Sequence, residues 1–152
     1  MSYINESVIY NIYPLGWCGA PKQNDGQLVY RLDKIYDWIP HFKKMSINCI
    51  VFNPLFESSF HGYDTIDYKK VDCRLGDNES FKKICKTLHE NGIKIILDGV
   101  FNHVGRDFFA FKDVQQNLQN SQYCGWFQNL GFWGLSPKGD PFTYEGWAGH
   151  YD

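Results

Sequence analysis

Three side chains able to do chemistry fall within six positions: Asp98, Asn102 and His103, in the stretch Ile93-Lys94-Ile95-Ile96-Leu97-Asp98-Gly99-Val100-Phe101-Asn102-His103. A carboxylate, a carboxamide and an imidazole together can hold a polar ligand or a metal ion. Each also has a structural reading: Asp98 as the cap of a turn, His103 as a half-buried, hydrogen-bonded histidine. The preceding residues weigh on the choice. Ile93 to Leu97 is an apolar run rich in β-branched residues, entered from Asn91-Gly92, and reads as a buried strand following a helix C-cap. Three polar groups at the exit of such a strand, in a β/α pattern, favour a site at the C-terminal edge of a parallel sheet.

The elements that would position them follow in order. Ser7 to Tyr13 is strand-like and halted by Pro14, and a glycine-rich loop runs from Gly16 to Gly26. Leu32, Ile35, Ile39 and Phe42 then fall at helical spacing, with Pro40 inside the pattern, where a kink or break is expected. Ile47 to Asn53 is a second strand closed by Pro54. A loop of roughly twenty residues follows, a length that is usually functional, and it holds Glu57, His61, Gly62, Tyr63, Asp64, Asp67 and Tyr68. Asp77 or Asn78 caps a second helix with the stripe Phe81, Ile84, Cys85 and Leu88, ended by Gly92. The pattern is β-α-β-α-β, with connections long enough for right-handed crossovers and parallel strands. Beyond residue 103 the chain is dense in aromatics and glycine, with one short helix expected from Phe109 to Leu118.

Composition excludes several classes. A chain of 152 residues, 43% hydrophobic and 21% charged, is a soluble globular domain and not a disordered one. A net charge of -2 without a basic block lacks the footprint of a nucleic-acid binder. No segment reaches the roughly 18 apolar residues of a membrane span. The N-terminal Met1-Ser2-Tyr3-Ile4-Asn5-Glu6 has no signal-peptide pattern, so the expected compartment is the cytoplasm. Five scattered cysteines, without a Cys-x-x-Cys pair, are expected to be reduced.

Taken together, these residues resemble the alpha-amylase superfamily of glycoside hydrolases. Ile12-Tyr13-Pro14 is similar to the family's first barrel strand, and Asn48 to Phe56 to its second, followed by His61-Gly62-Tyr63-Asp64-Thr65-Ile66-Asp67-Tyr68. Leu97-Asp98-Gly99-Val100-Phe101-Asn102-His103 resembles the conserved region at the end of the third strand, and the aromatic tail resembles domain B. The resemblance implies an α/β fold: a partial (β/α)8 TIM barrel comprising the first three β/α units, residues 1–103, with a loop-rich aromatic domain B excursion after strand 3, residues 104–152. It implies retaining cleavage of α-glucosidic bonds in an α-glucan or maltooligosaccharide. It also assigns roles by position. Tyr63 matches the tyrosine stacking under the glucose ring at the cleavage subsite. His61 matches a histidine lining that pocket, His103 one that hydrogen-bonds a sugar hydroxyl, and Asp98 an aspartate that braces the site. Asn102 matches a calcium ligand in the members that keep that ion.

The departure from the family pattern lies in extent. The resemblance places the nucleophile and the acid/base on strands beyond residue 152, so no catalytic residue is expected in this chain. A partial barrel leaves an open edge and an uncovered inner face, on which Ile50, Phe52, Ile95 and Leu97 are expected to lack packing. Self-association, or pairing with the missing barrel half, follows as an expectation. Two other readings stand beside the hydrolase segment: a carbohydrate-binding module using Tyr63, His103 and the tail aromatics without turnover, and an inert truncation product.

Overall fold

The computed structural model describes residues 6–151; the N-terminal segment read for a leader, Met1 to Asn5, lies outside them. The first strand, β1 (Ile9–Ile12), ends at Tyr13. Pro14 then opens a single turn of helix, α1 (Pro14–Trp17), where a loop was expected. Proline suits that first position, because its φ is preset and its missing N–H has no helical partner to lose.

A 3-10 turn at Arg31–Lys34 leads into α2 (Ile35–Lys44), which runs through Pro40 without a break. Pro40 lies on the exposed face, where the carbonyl it leaves without a helical donor can turn to water. The inward stripe is Leu32, Ile35 and Phe42, all buried, with Ile39 partly so. The second strand, β2 (Cys49–Phe52), follows.

The expected twenty-residue loop is instead an antiparallel hairpin, β3 (Phe56–Ser58) with β4 (Thr65–Val71). Its register shifts on either side of Glu57, which breaks the alternation that marks a strand in sequence. The buried residues here are also polar: Glu57, Ser58, Asp72 and Arg74.

Helix α3 (Asn78–Glu90) starts as its sequence dictates. Asp77 accepts from the Ser80 N–H, and the Ser80 hydroxyl accepts from the Asp77 N–H, a capping box. Gly92 leaves the helix at φ +74°, a left-handed position that disfavours a side chain. The chain then enters β5 (Lys94–Leu97).

Strands β1, β2 and β5 form one parallel sheet in that order, with Ile12 opposite Phe52 and Phe52 opposite Leu97. Helices α2 and α3 cover one face, where Ile12, Ile50 and Phe52 meet Phe42, Ile84 and Leu88. This corrects the expectation for the open face. Ile50 and Phe52 are fully buried because they point at the helices, and Ile95 packs partly against the same core. Leu97 is 41% exposed because β5 is an edge strand, so the expected buried strand is only half-buried. Strand residues alternate between faces, so the uncovered face carries Ile9, Asn11, Val51 and Ile96; Ile9 is 46% exposed.

Helix α4 (Phe109–Asn117) ends one residue short of the expected Leu118. It builds a second core of Phe108, Phe111, Val114 and Phe142, against which Tyr68 of β4 packs. A bidentate ion pair of Arg106 with Asp140 (2.8 and 2.9 Å) closes this unit. Ser136 and Gln115 also donate to Asp140, and Arg106 donates to the Tyr144 hydroxyl. No helix among the described residues is long and apolar enough to cross a membrane.

Candidate functional site

Because the three sheet strands are parallel, Tyr13, Asn53 and Asp98 leave them on one edge. The connection from β3 to β4 is held over that edge from two strand ends. The Tyr13 hydroxyl donates to the His61 carbonyl (3.0 Å), and the Asn53 amide donates to the Tyr63 hydroxyl (3.1 Å). Inside the turn, Asp64 is 4% exposed and accepts from three successive N–H groups, those of Phe60, His61 and Gly62, at 2.7 to 3.1 Å. Gly62 sits at φ +91°, and a Cβ there would meet the Pro54 carbonyl oxygen at 3.0 Å. The turn therefore needs this glycine to lie so close to the strand end.

Beneath the turn lies a buried ion pair. Arg74 and Asp72 are both fully buried and 2.6 Å apart. The guanidinium also donates to the carbonyls of Pro21, Lys22 and Phe60 and to the Ser58 hydroxyl, at 2.7 to 3.1 Å. One side chain thus joins the glycine-rich loop, β3 and the residue just before His61.

The segment after β5 reaches the same place by a close approach. Gly105 donates to the Thr65 carbonyl (2.9 Å), and a Cβ on it would lie 2.5 Å from the Asp64 carbonyl oxygen. The Tyr68 hydroxyl sits between the carbonyls of Val100 and His103. His103 is thereby set beside the His61–Asp64 turn, with its ring stacked on Trp147 at 5.0 Å and 18°.

These elements enclose a cavity of about 1140 Å³. Of the residues singled out in the sequence, His61, Tyr63, Asn102 and His103 all line it, and Asp98 does not. Asp98 is half-buried at the strand end, its N–H donating to the Phe52 carbonyl. Tyr63 offers a partly open face at 37% exposure. His61 Nδ1 is held inside the turn, 3.2 Å from the Tyr63 backbone nitrogen and 3.3 Å from Asp64 Oδ1.

Asn102, the position matched to a calcium ligand by the resemblance, offers one amide oxygen at the cavity. It is exposed, with its amide nitrogen 3.4 Å from His103 Nδ1. Among the described residues, the one cluster of three or more His, Cys, Asp or Glu side chains close enough to share an ion is Glu57, Asp72 and Cys73, none of them from the Asn102 segment. Calcium takes six to eight oxygen ligands, backbone carbonyls among them, of which Asn102 would supply one. The Glu57 cluster is itself committed. Glu57 accepts from Asn24 (2.8 Å), Lys70 (3.0 Å) and the Cys73 N–H, while Asp72 holds Arg74. Burial pushes the Cys73 thiol up, away from the thiolate that would ligate.

The cavity also takes Trp126, Tyr144 and Trp147 from the tail. The tail's aromatic density was visible in the sequence, but no spacing said which rings face inward. Arg74 gave no signal at all, since a buried cation in a loop has no periodicity.

The catalytic-domain family of alpha amylases matches residues 12–151. The chain is 36% identical to a cyclomaltodextrinase of Thermoanaerobacter pseudethanolicus, over 96% of this chain and 28% of that protein. It is 37% identical to neopullulanase 2 of Thermoactinomyces vulgaris, over 82% of this chain and 24% of that protein. Among solved structures, the cyclic alpha-maltosyl-(1→6)-maltose hydrolase of Arthrobacter globiformis, in complex with maltose, superposes with a TM-score of 0.81 at 29% identity. That match covers 99% of this chain and 38% of the hydrolase. A debranching enzyme of Nostoc punctiforme gives 0.79 at 32% identity, over 99% of this chain and 36% of that one. The chain thus spans about a quarter of these curated relatives' length.

Proposed function

The chain belongs to the alpha-amylase family, and from that premise we propose that it forms the first three β/α units and the domain B excursion of an α-glucan-acting retaining glycoside hydrolase. The names of its relatives, a cyclomaltodextrinase and a neopullulanase, support a maltooligosaccharide or related α-glucan as the ligand. The observation that carries the reading is convergence: His61, Tyr63 and His103, from two separate connections, line one cavity at the C-terminal edge of a parallel sheet. The Tyr63 ring takes the apolar C–H face of a glucose unit. His61, held in the turn at Nδ1, hydrogen-bonds one hydroxyl, and His103, stacked on Trp147, hydrogen-bonds another. Asp98 braces the strand end.

Bond cleavage is assigned to residues outside this chain. Retaining cleavage needs two carboxyl groups about 5–5.5 Å apart, one as nucleophile and one as acid/base. The carboxylates bordering the cavity are otherwise engaged: Asp64 by three backbone N–H groups, Glu145 by the Asn129 amide at 2.6 Å. In this reading the 152-residue chain binds glucan without turning it over.

Calorimetry of the chain against maltoheptaose, beside a reducing-sugar assay on starch, tests this. Saturable binding with no sugar released is expected, and Tyr63→Ala should weaken it at least about tenfold, since an aromatic platform contributes about 1 kcal/mol or more. Release of sugar by the pure chain would overturn the assignment of catalysis. Absence of binding would overturn the sugar-binding role.

The uncovered sheet face supports a second expected result. In this reading Ile9, Val51 and Ile96, on the uncovered face, are covered by a second copy or by further strands, so the melting temperature of the isolated chain should rise with protein concentration. A cooperative melt independent of concentration would show that the sheet is stable with that face open.

A further inference from the structure

The sugar cavity has a second aromatic wall with no role in the reading above. Trp126 ends a 3-10 turn, Cys124–Trp126, in the tail, and lines the same cavity as Tyr63. It is 62% exposed, yet it is fixed in place. Tyr123 meets it edge-on at 5.2 Å and 75°, and Phe109 at 5.9 Å and 81°. Edge contacts hold a ring by its rim or by one side and leave indole area open to the cavity. Exposure alone would mean little. Trp133 is fully exposed, does not line this cavity, and has no ring contact among the described residues. Trp126 differs on both counts.

The cavity's size gives such a ring something to do. At about 1140 Å³ it exceeds the roughly 300–1,000 Å³ typical of a small-molecule site, so it has room for more than one hexose. Tyr63 and Trp126 come from different parts of the chain, the β3–β4 connection and the tail, both line the cavity, and they make no ring contact with each other.

We propose that Trp126 is a further sugar-stacking residue, which takes a glucose unit beyond the one on Tyr63 and makes the cavity select for glucan chain length. This rests on the glucan-binding reading above. The C–H face of a pyranose ring is apolar and flat enough to lie on an indole, and a ring already held by Tyr123 and Phe109 loses little freedom when it does so. Short ligands that fill only the Tyr63 end do not reach it. Longer ones do.

The test is a titration of the 152-residue chain with maltose, maltotriose, maltopentaose and maltoheptaose, followed by calorimetry, for wild type and for the variants Trp126→Ala, Trp126→Phe and Trp133→Ala. Wild-type affinity is expected to rise with length. Trp126→Ala should bind maltose as wild type does and maltoheptaose about tenfold more weakly. Trp126→Phe should recover most of that loss, and Trp133→Ala should change nothing. Thermal melts of each variant accompany the titration, because a merely structural role would lower the melting temperature and weaken all ligands alike. Equal binding of every length by Trp126→Ala and wild type would overturn the inference alone, as would a uniform loss across lengths. A wild-type chain that binds no maltooligosaccharide would overturn the glucan reading, and this inference with it.

Discussion

Arg74→Ala is expected to cost about 3–5 kcal/mol and to abolish glucan binding together with the order of the His61–Asp64 turn. Removing one partner of a buried ion pair costs about 3–5 kcal/mol, because the other charge stays in place without its counter-charge. Here Asp72 would remain fully buried, with only Ser58 and the residue-74 backbone N–H as donors. The carbonyls of Pro21, Lys22 and Phe60 would lose the guanidinium as well, but these residues are at least partly exposed and their carbonyls can turn to water, so the buried charge carries most of the cost. That cost reaches the lower end of a typical domain's total stability, about 5–15 kcal/mol. Arg74→Lys should recover only part of it, since an ammonium has three donors where the guanidinium has five in a fixed fork. Urea denaturation gives the stability change, and amide exchange at residues 22–24 and 58–64 shows where it falls. Native-like protection of those amides in Arg74→Ala would show that the clamp does not hold the turn.

The second large effect lies in the tail. Asp140→Ala is expected to cost about 3 kcal/mol, because Arg106 is only 25% exposed and would keep its charge with no carboxylate beside it. The same pair predicts a pH dependence. Hydrogen bonds from Arg106, and secondarily from Ser136 and Gln115, hold the Asp140 carboxyl well below the usual carboxylate range despite its burial. A depressed folded-state pKa means that the folded form holds its proton less tightly than the unfolded chain. The stabilisation is then complete above the unfolded value of about 3.9 and drains away as pH falls below it. The gap in stability between wild type and Asp140→Asn should therefore be full at pH 7 and shrink below about pH 4. A gap that does not change down to pH 3 would remove Asp140 from the acid transition. Asp107, lowered chiefly by its hydrogen bond with Lys112, adds little, since both groups are about half exposed and water screens them.

The reach of the sequence is clearest where local rules are strong. Asp77, Ser80 and Gly92 bracket α3 by capping chemistry that needs only neighbours a few residues away. The parallel order of β1, β2 and β5 followed from the length of the helical connections. The hairpin β3–β4 did not, because its bulges disrupt the period of two and its inward side chains are charged. Pro40 did not break α2 for a related reason: a helix breaker is tolerated on a face that water reaches, and the sequence pattern did not mark that face strongly enough.

The site divides along the same line. Residue types at close spacing, His61-Gly62-Tyr63-Asp64 and Asp98 to His103, named the candidate groups, and the sequence alone placed the second segment at a strand exit and the first in the connection after a strand. Their meeting was settled by long-range contacts: Gly105 against the Asp64 backbone, Tyr68 between two carbonyls, Trp147 over His103. So was the split within the second segment, where Asn102 and His103 line the cavity and Asp98 stays behind at the strand end. Arg74 belongs wholly to the tertiary structure, since its partners come from residues 21–22, 58–60 and 72 and no local pattern joins them. Caps, turns and periodicity are set by a residue's own backbone and nearest neighbours, and can be read one stretch at a time. A cavity wall is set by which stretches pack together, and that is decided by burial and hydrogen bonding across the whole chain.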